Sequence, residues 1–265
     1  MRWCENIVLA VLLAFVLGTA AQADPVSGTL YFTTFAGPPQ VHSVDFNWNG
    51  ASLGLSAVTN IGSTLGADGL LFDPNNSGKL LVGGQGTGAL NDITIATGVD
   101  SAVAVGAANQ SFHLAVTPNG TTLWNMPNGG SPFISVVPLP FGANGTSFPV
   151  TGDDTDVRGV AFIGNQGFYG STIDGSTSGN LGLISFNGVT FTTTRLLSGV
   201  PAHGLTFDPF TGDLIVSSGD EIQQYSWDGT KLTLVSSVTV GGEVFDQTAA
   251  DGKGPLRIPP ASLWL

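Results

Sequence analysis

Cysteine is almost absent from this chain: its 265 residues include one, Cys4. Disulfide scaffolds and thiolate metal centres are therefore excluded. Basic residues are scarce as well, with Lys+Arg 7 against Asp+Glu 19 and a formal net charge of −12. That balance excludes a nucleic-acid partner, because a phosphate backbone has to be met by Lys and Arg. Only 10% of residues are charged, too few for a coiled coil or helical bundle, yet 42% are hydrophobic, too many for a disordered chain. Long apolar runs are also missing. The longest, Ile7–Gly18, has twelve residues and is short for a membrane span.

That run sits in an N-terminal pattern of its own. Arg2 precedes it, and Ala21-Gln22-Ala23 follows as a small-x-small cleavage site. Residues 1–23 read as a secretory signal peptide cut after Ala23, so the expected location is secreted or cell-surface. Cleavage removes Arg2, Cys4 and Glu5 and leaves the net charge at −12. A cysteine-free exported chain fits a bacterium better than an animal. It must be held by an ordinary core, and residues 24–254 are long enough to build one.

What the chain has in quantity is glycine, 38 residues. Short runs of Val, Ile, Leu, Phe and Thr alternate with Gly, Asn, Asp and Pro clusters, which is an all-β pattern. Four segments align: Asp68-Gly-Leu-Leu-Phe-Asp-Pro74, Phe112-His-Leu-Ala-Val-Thr-Pro118, Arg158-Gly-Val-Ala-Phe-Ile-Gly164 and His203-Gly-Leu-Thr-Phe-Asp-Pro209. Their last residues are spaced by 44, 46 and 45. Second strands follow at Lys79–Val82, Thr121–Trp124, Gly167–Gly170 and Asp213–Val216. Third strands follow at Asp92–Ile95, Phe133–Val137, Gly182–Phe186 and Ile222–Trp227. Asn187-Gly188 and Asp228-Gly229 predict two-residue hairpin turns into fourth strands at Val189–Leu196 and Lys231–Val240. Four antiparallel strands in about 45 residues make the blade of a β-propeller.

Leu30–Thr34, Val41–Asn47 and Leu53–Thr59 match strands two, three and four of a further blade. Its inner strand is expected from Val244–Ala249, so that the N- and C-terminal strands close the ring and hide two sheet edges. The count is five blades, with six as the alternative. Residues 255–265 abandon the repeat, and Pro259-Pro260 cannot pair in a central strand. They read either as an irregular tail or as the product of a frameshift or truncation.

Residues that open the inner strands at the channel mouth are the binding candidates, since mouth loops of a rigid scaffold carry function. The first two positions of the repeat hold Asp68, Phe112, Arg158, His203 and Phe245, then Gly69, His113, Gly159, Gly204 and Asp246. Glycine there suits a close backbone approach. The polar departures, Asp68, His113, Arg158, His203 and Asp246, are the candidate binding residues. Asp153, Asp154 and Asp156 form a short acidic loop, a calcium candidate because oxygen ligands at short spacing suit Ca²⁺; no Gly and Glu follow at EF-hand positions. Gly83–Gly88 lacks the Lys-Ser/Thr of a phosphate loop and reads as a turn. No Gly-x-Ser-x-Gly elbow and no Cys-x-x-Cys-His is present. Trp48, Phe186 and Trp227 recur beside matching turns and read as packing between blades.

The repeat units resemble propellers of the broad NHL, SMP-30 and YVTN-like kind. More closely, the chain resembles uncharacterised exported bacterial propellers that carry a C-terminal Pro-Glu-Pro sorting anchor. Gly-Leu-x-Phe-Asp-Pro at 69–74 and 204–209, Phe245-Asp-Gln-Thr248 and Asp251-Gly-Lys-Gly254 carry this resemblance over about residues 29–254. It implies the fold and conveys no activity, and the anchor motif itself is not in this sequence. SMP-30-like enzymes hydrolyse lactones with a channel metal held by Glu, Asn and Asp. That likeness implies at most Glu243, Asp246 and Asp68 near such a site, and no catalytic residue is carried across. The expected function is a non-catalytic extracytoplasmic binding or surface module for a small molecule, glycan or protein. The alternative is a metal-dependent lactonase-like hydrolase working at the channel mouth.

Overall fold

The computed structural model describes residues 26–34, 41–48, 53–64, 67–84, 88–105, 112–127, 131–172, 178–209 and 211–239. The signal-peptide segment, Glu243, Asp246, the closing strand expected at 244–249 and the tail lie outside the described residues. Among the described residues twenty strands follow in chain order. The second unit is β5 (Ala67–Asp73), β6 (Asn76–Gly84), β7 (Ala89–Thr94) and β8 (Asp100–Val105). The third is β9 (His113–Val116), β10 (Thr122–Met126), β11 (Phe133–Pro138) and β12 (Thr146–Gly152). The fourth is β13 (Gly159–Ile163), β14 (Gln166–Gly170), β15 (Gly179–Phe186) and β16 (Phe191–Val200). The fifth is β17 (Gly204–Asp208), β18 (Asp213–Ser218), β19 (Glu221–Trp227) and β20 (Leu232–Thr239). Within each unit the strands pair antiparallel in sequence order. The inner strands β5, β9, β13 and β17 stand side by side. This is the β-propeller architecture.

The first unit is β1 (Val26–Thr33), β2 (Val41–Trp48), β3 (Leu53–Leu55) and β4 (Thr59–Gly62), with β3 and β4 both paired to β2. β1 holds the second-strand position. Its end meets the start of the next inner strand, where the Thr33 hydroxyl donates to Asp68 O at 2.6 Å. The same junction recurs after β14, where Thr172 N donates to Ala202 O at 2.9 Å. The expected fourth strand at 53–59 is split. Ser56 interrupts it, its N–H donating to Asp45 O and its hydroxyl accepting from Asp45 N.

The sequence runs lack clean alternation because both faces of a middle strand are buried. Neighbouring residues on a second strand enter different cores, as period-two geometry requires. Leu80 packs between the first and second units with Val41 and Ile93, whereas Leu81 packs between the second and third with Leu114 and Val137. Trp124 joins Ile134, Val160 and Phe191 between the third and fourth units. Phe168 turns the other way, to Leu205, Leu214 and Tyr225 of the fifth. Edge-to-face aromatics lock these seams. Tyr31 meets Phe72 at 5.5 Å between ring centroids, Trp124 meets Phe162 at 5.0 Å, and Phe168 meets Trp227 at 5.1 Å. Phe186 likewise contacts Phe148 of the preceding unit at 4.9 Å. The expectation that Phe186 and Trp227 pack between blades is met.

The turns differ from expectation in one respect. Phe186 pairs with Phe191 and Trp227 with Leu232, so each connection is a four-residue loop and not a two-residue turn. Asn187 Oδ1 accepts from the N–H groups of Val189 and Thr190, and Asp228 Oδ1 from those of Thr230 and Lys231. These side chains replace ladder bonds with local ones, which lengthens the loop.

A further departure joins two units. β12 runs parallel to β16, pairing Val150 with Phe191 and Gly152 with Thr193, and makes one eight-stranded sheet. Gly152 has φ +108°, and a Cβ there would overlap Thr193 O. Only glycine suits that approach.

Because Trp124 lies at the centre of the seam between units three and four, Trp124→Ala should cost about 3–5 kcal/mol in urea unfolding. Val189→Ala, on an exposed loop, should stay within about 0.5 kcal/mol. Equal effects from the two variants would contradict the packing described.

Candidate functional site

The four polar candidates among the described residues, Asp68, His113, Arg158 and His203, are all buried at the starting ends of the inner strands. His113, Arg158 and His203 come together. His113 Nδ1 lies 2.8 Å from Arg158 O, and His203 Nδ1 lies 2.7 Å from Thr172 O. A carbonyl only accepts, so Nδ1 carries the hydrogen in both rings. The rings meet edge to face with centroids 4.8 Å apart. Arg158 Nη2 donates to Asp156 Oδ2 at 2.8 Å. Asp68 stands at the neighbouring strand start, where Gly69 N donates to Phe112 O at 2.5 Å. A Cβ at Gly69 would overlap Phe112 O, and one at Gly159 would overlap His203 O. The close approach expected of these glycines is present.

Thr172 was not legible as part of this cluster. It is fully buried, donates its hydroxyl to Val200 O at 2.9 Å and accepts from Ala202 N at 2.5 Å. Its sole sequence signal is its place after a second strand, where Thr34 stands after β1.

The acidic loop follows β12 and is drawn onto the fourth unit. Asp154 accepts from Asn180 Nδ2 at 2.8 Å, from Arg195 Nη2 at 2.8 Å and Nε at 3.1 Å, and from the Tyr169 hydroxyl. Asp153 Oδ2 accepts from Arg195 N at 2.8 Å, and Asp153 O from Arg195 Nη2 at 3.0 Å. Asp156 faces Arg158 instead. Thus the three carboxylates are divided between two arginines, and among the described residues no three His, Cys, Asp or Glu side chains converge as metal ligands. Burial alone would raise the pKa of Asp154, but hydrogen bonds from Arg195, Tyr169 and Asn180 outweigh it and hold the carboxyl below its ordinary value. Burial and the adjacent Asp154 push the Tyr169 hydroxyl well above the ordinary tyrosine range, so it stays a donor.

A third charged pair lies away from the inner strands. Lys79 Nζ donates to Asp92 Oδ2 at 2.6 Å, between second and third strands. Gln224 Nε2 donates to Asp213 Oδ2 at 2.6 Å in the same diagonal register of the fifth unit. The repeat thus keeps the cross-strand bond and exchanges its members. Among the described residues Asp92 Oδ1 has no hydrogen-bond partner.

The open space is elsewhere. A cavity of about 340 Å³ runs along the inner strands beyond the histidine pair, toward their C-terminal ends. All four inner strands line it, with Phe72, Val116, Phe162 and Phe207 at one repeat position. Thr206 is its one polar lining side chain among the described residues. The polar residues singled out in the sequence do not line it. Of the Gly83–Gly88 segment, Gly83 and Gly84 end β6 and Gly88 precedes β7, while 85–87 lie outside the described residues.

No family model matches the chain, and no curated protein matches its sequence. Solved structures do resemble it. A chain of a nidogen/laminin complex superposes with TM-score 0.58 at 14% identity, over 86% of this chain and 83% of that one. A luciferin-regenerating enzyme gives 0.51 at 12%, over 84% and 83%. A calcium-binding protein, regucalcin, from Agrobacterium tumefaciens gives 0.50 at 15%, over 83% and 77%. At these identities the likeness is one of fold, and the fold of this chain is an all-β propeller.

Asp154 supplies a pH test. Because its pKa is lowered on folding, its contribution is full above the ordinary Asp value of about 3.9 and is lost as pH falls through the lower folded value. Asp154→Asn should therefore flatten the acid limb of stability against pH in chemical denaturation. An unchanged acid limb would contradict the network.

Proposed function

We propose that this chain is an exported, non-catalytic β-propeller that serves as an extracytoplasmic binding or surface module. The observation that carries this reading is the employment of the polar candidates. His113 and His203 bond backbone carbonyls, and Arg158 bonds Asp156, while Arg195 spans Asp153 and Asp154. These bonds tie the polar candidates into the fold, and none of these residues lines the open space of the channel. The signal pattern at 1–23, cut after Ala23, supports export. Five units, with six as the alternative, is the ring that the repeat spacing supports. The net charge of −12 favours a neutral or cationic small molecule, a glycan or a protein over nucleic acid.

A second reading is a metal-dependent lactonase-like hydrolase with its site at the channel mouth. The fold shared with a calcium-binding regucalcin and with a luciferin-regenerating enzyme favours it. Under that reading Glu243, Asp246 and Asp68 would hold the metal, with Ca²⁺ also a candidate at Asp153, Asp154 and Asp156.

The two readings part on metal and turnover. The binding module should melt at the same temperature with Ca²⁺ and with a chelator, and should show no lactone hydrolysis above buffer. Metal-dependent lactone turnover lost in Asp68→Ala would establish the hydrolase and end the binding-module reading.

A further inference from the structure

We infer that the central cavity is a binding site for a compact, neutral, apolar ligand, entered from the end of the channel marked by Phe72 and Phe207. This rests on the reading of the chain as a binding module and names the ligand class for it. The cavity volume of about 340 Å³ lies at the lower end of small-molecule sites. A compact ring system suits that space. Its lining comes from the four described inner strands, so the wall is hydrogen-bonded sheet and not loop. Such a preformed wall needs little reorganisation on binding.

The chemistry of the wall selects the ligand. Phe72, Phe162 and Phe207 line the cavity at one repeat position, with Val116 at the equivalent place on β9, and the Phe72 and Phe162 rings are shared with the seams, where they meet Tyr31 and Trp124. That smaller residue leaves room on the β9 side. No charged side chain among the described residues lines the cavity, so a phosphate or carboxylate would lose its hydration with no cation to replace it. Thr206 offers a single hydroxyl, enough to orient one carbonyl or hydroxyl on the ligand. At the other end the buried His113, His203 and Arg158 fill the strand starts, each already bonded within the protein. Phe72 is 49% exposed despite its position on an inner strand, which marks the open end.

The test is a fluorescence titration of the purified chain with N-phenyl-1-naphthylamine, a neutral aromatic probe. Saturable one-to-one binding is expected. Val116→Phe puts a fourth ring at that repeat position and should weaken binding about tenfold or more, read on protein that still unfolds cooperatively. Thr206→Phe fills the space from β17 and should act alike, so the test does not hang on one variant. Val189→Ser, on the exposed loop after β15, should leave the titration unchanged. Absence of saturable binding, or equal affinity in the folded filled variants, overturns the proposal. Its failure is distinct from failure of the underlying reading. Lactone turnover alongside probe binding would end the non-catalytic reading and leave this site standing. A melting shift with a charged sugar and none with the probe would do the reverse.

Discussion

Among the described residues each hydrophobic core lies between two neighbouring units. Adjacent residues of one strand, such as Phe168 and Tyr169, belong to different cores. Stability is therefore a property of the seams, as in other stacked repeats. The seams in turn require the inner strands to approach closely, and glycine at positions 69 and 159 makes that approach sterically available. The position of the channel wall, the burial of the polar strand starts and the orientation of the aromatic wedges all follow from this constraint.

The junction of the third and fourth units adds a second kind of bond. Parallel pairing of β12 with β16 carries the backbone ladder across a seam that elsewhere is held by side chains. The acidic loop after β12 then reaches across the fourth sheet to Tyr169, Asn180 and Arg195. Three neighbouring aspartates in a chain of net charge −12 would repel one another. Their division between Arg195 and Arg158 turns that repulsion into an attachment point.

The inner strands were legible because one repeat position after another serves the same purpose, as Gly-Leu-x-Phe-Asp-Pro does at 69–74 and 204–209. The Asp-Pro ends close as expected, with Asp73 Oδ1 accepting from Asn75 N and Asp208 Oδ2 from the Thr211 hydroxyl. The outer strands β8 and β12 were not assigned, since Asp100–Val105 and Thr146–Gly152 face solvent on one side and carry no repeating motif. Non-local pairing, such as β12 with β16, leaves no periodic trace at all. At the candidate site, sequence reasoning brought His113, Arg158 and His203 to one end of the channel, and they do meet there. It equated polarity with function, however, and so passed over the apolar channel lining, whose residues look like ordinary core until their shared register places them around a cavity.

The polar end and the apolar end of the channel thus divide the work, one closing the strand starts and the other leaving space. Crystals of the chain pressurised with xenon test this division most directly, because an apolar cavity takes up xenon and a hydrated polar one does not. The account predicts xenon in the channel between Phe162 and Phe207 and none beside His113 and His203. A channel filled by ordered water at the level of Phe162, with xenon confined to the seams between units, would contradict it.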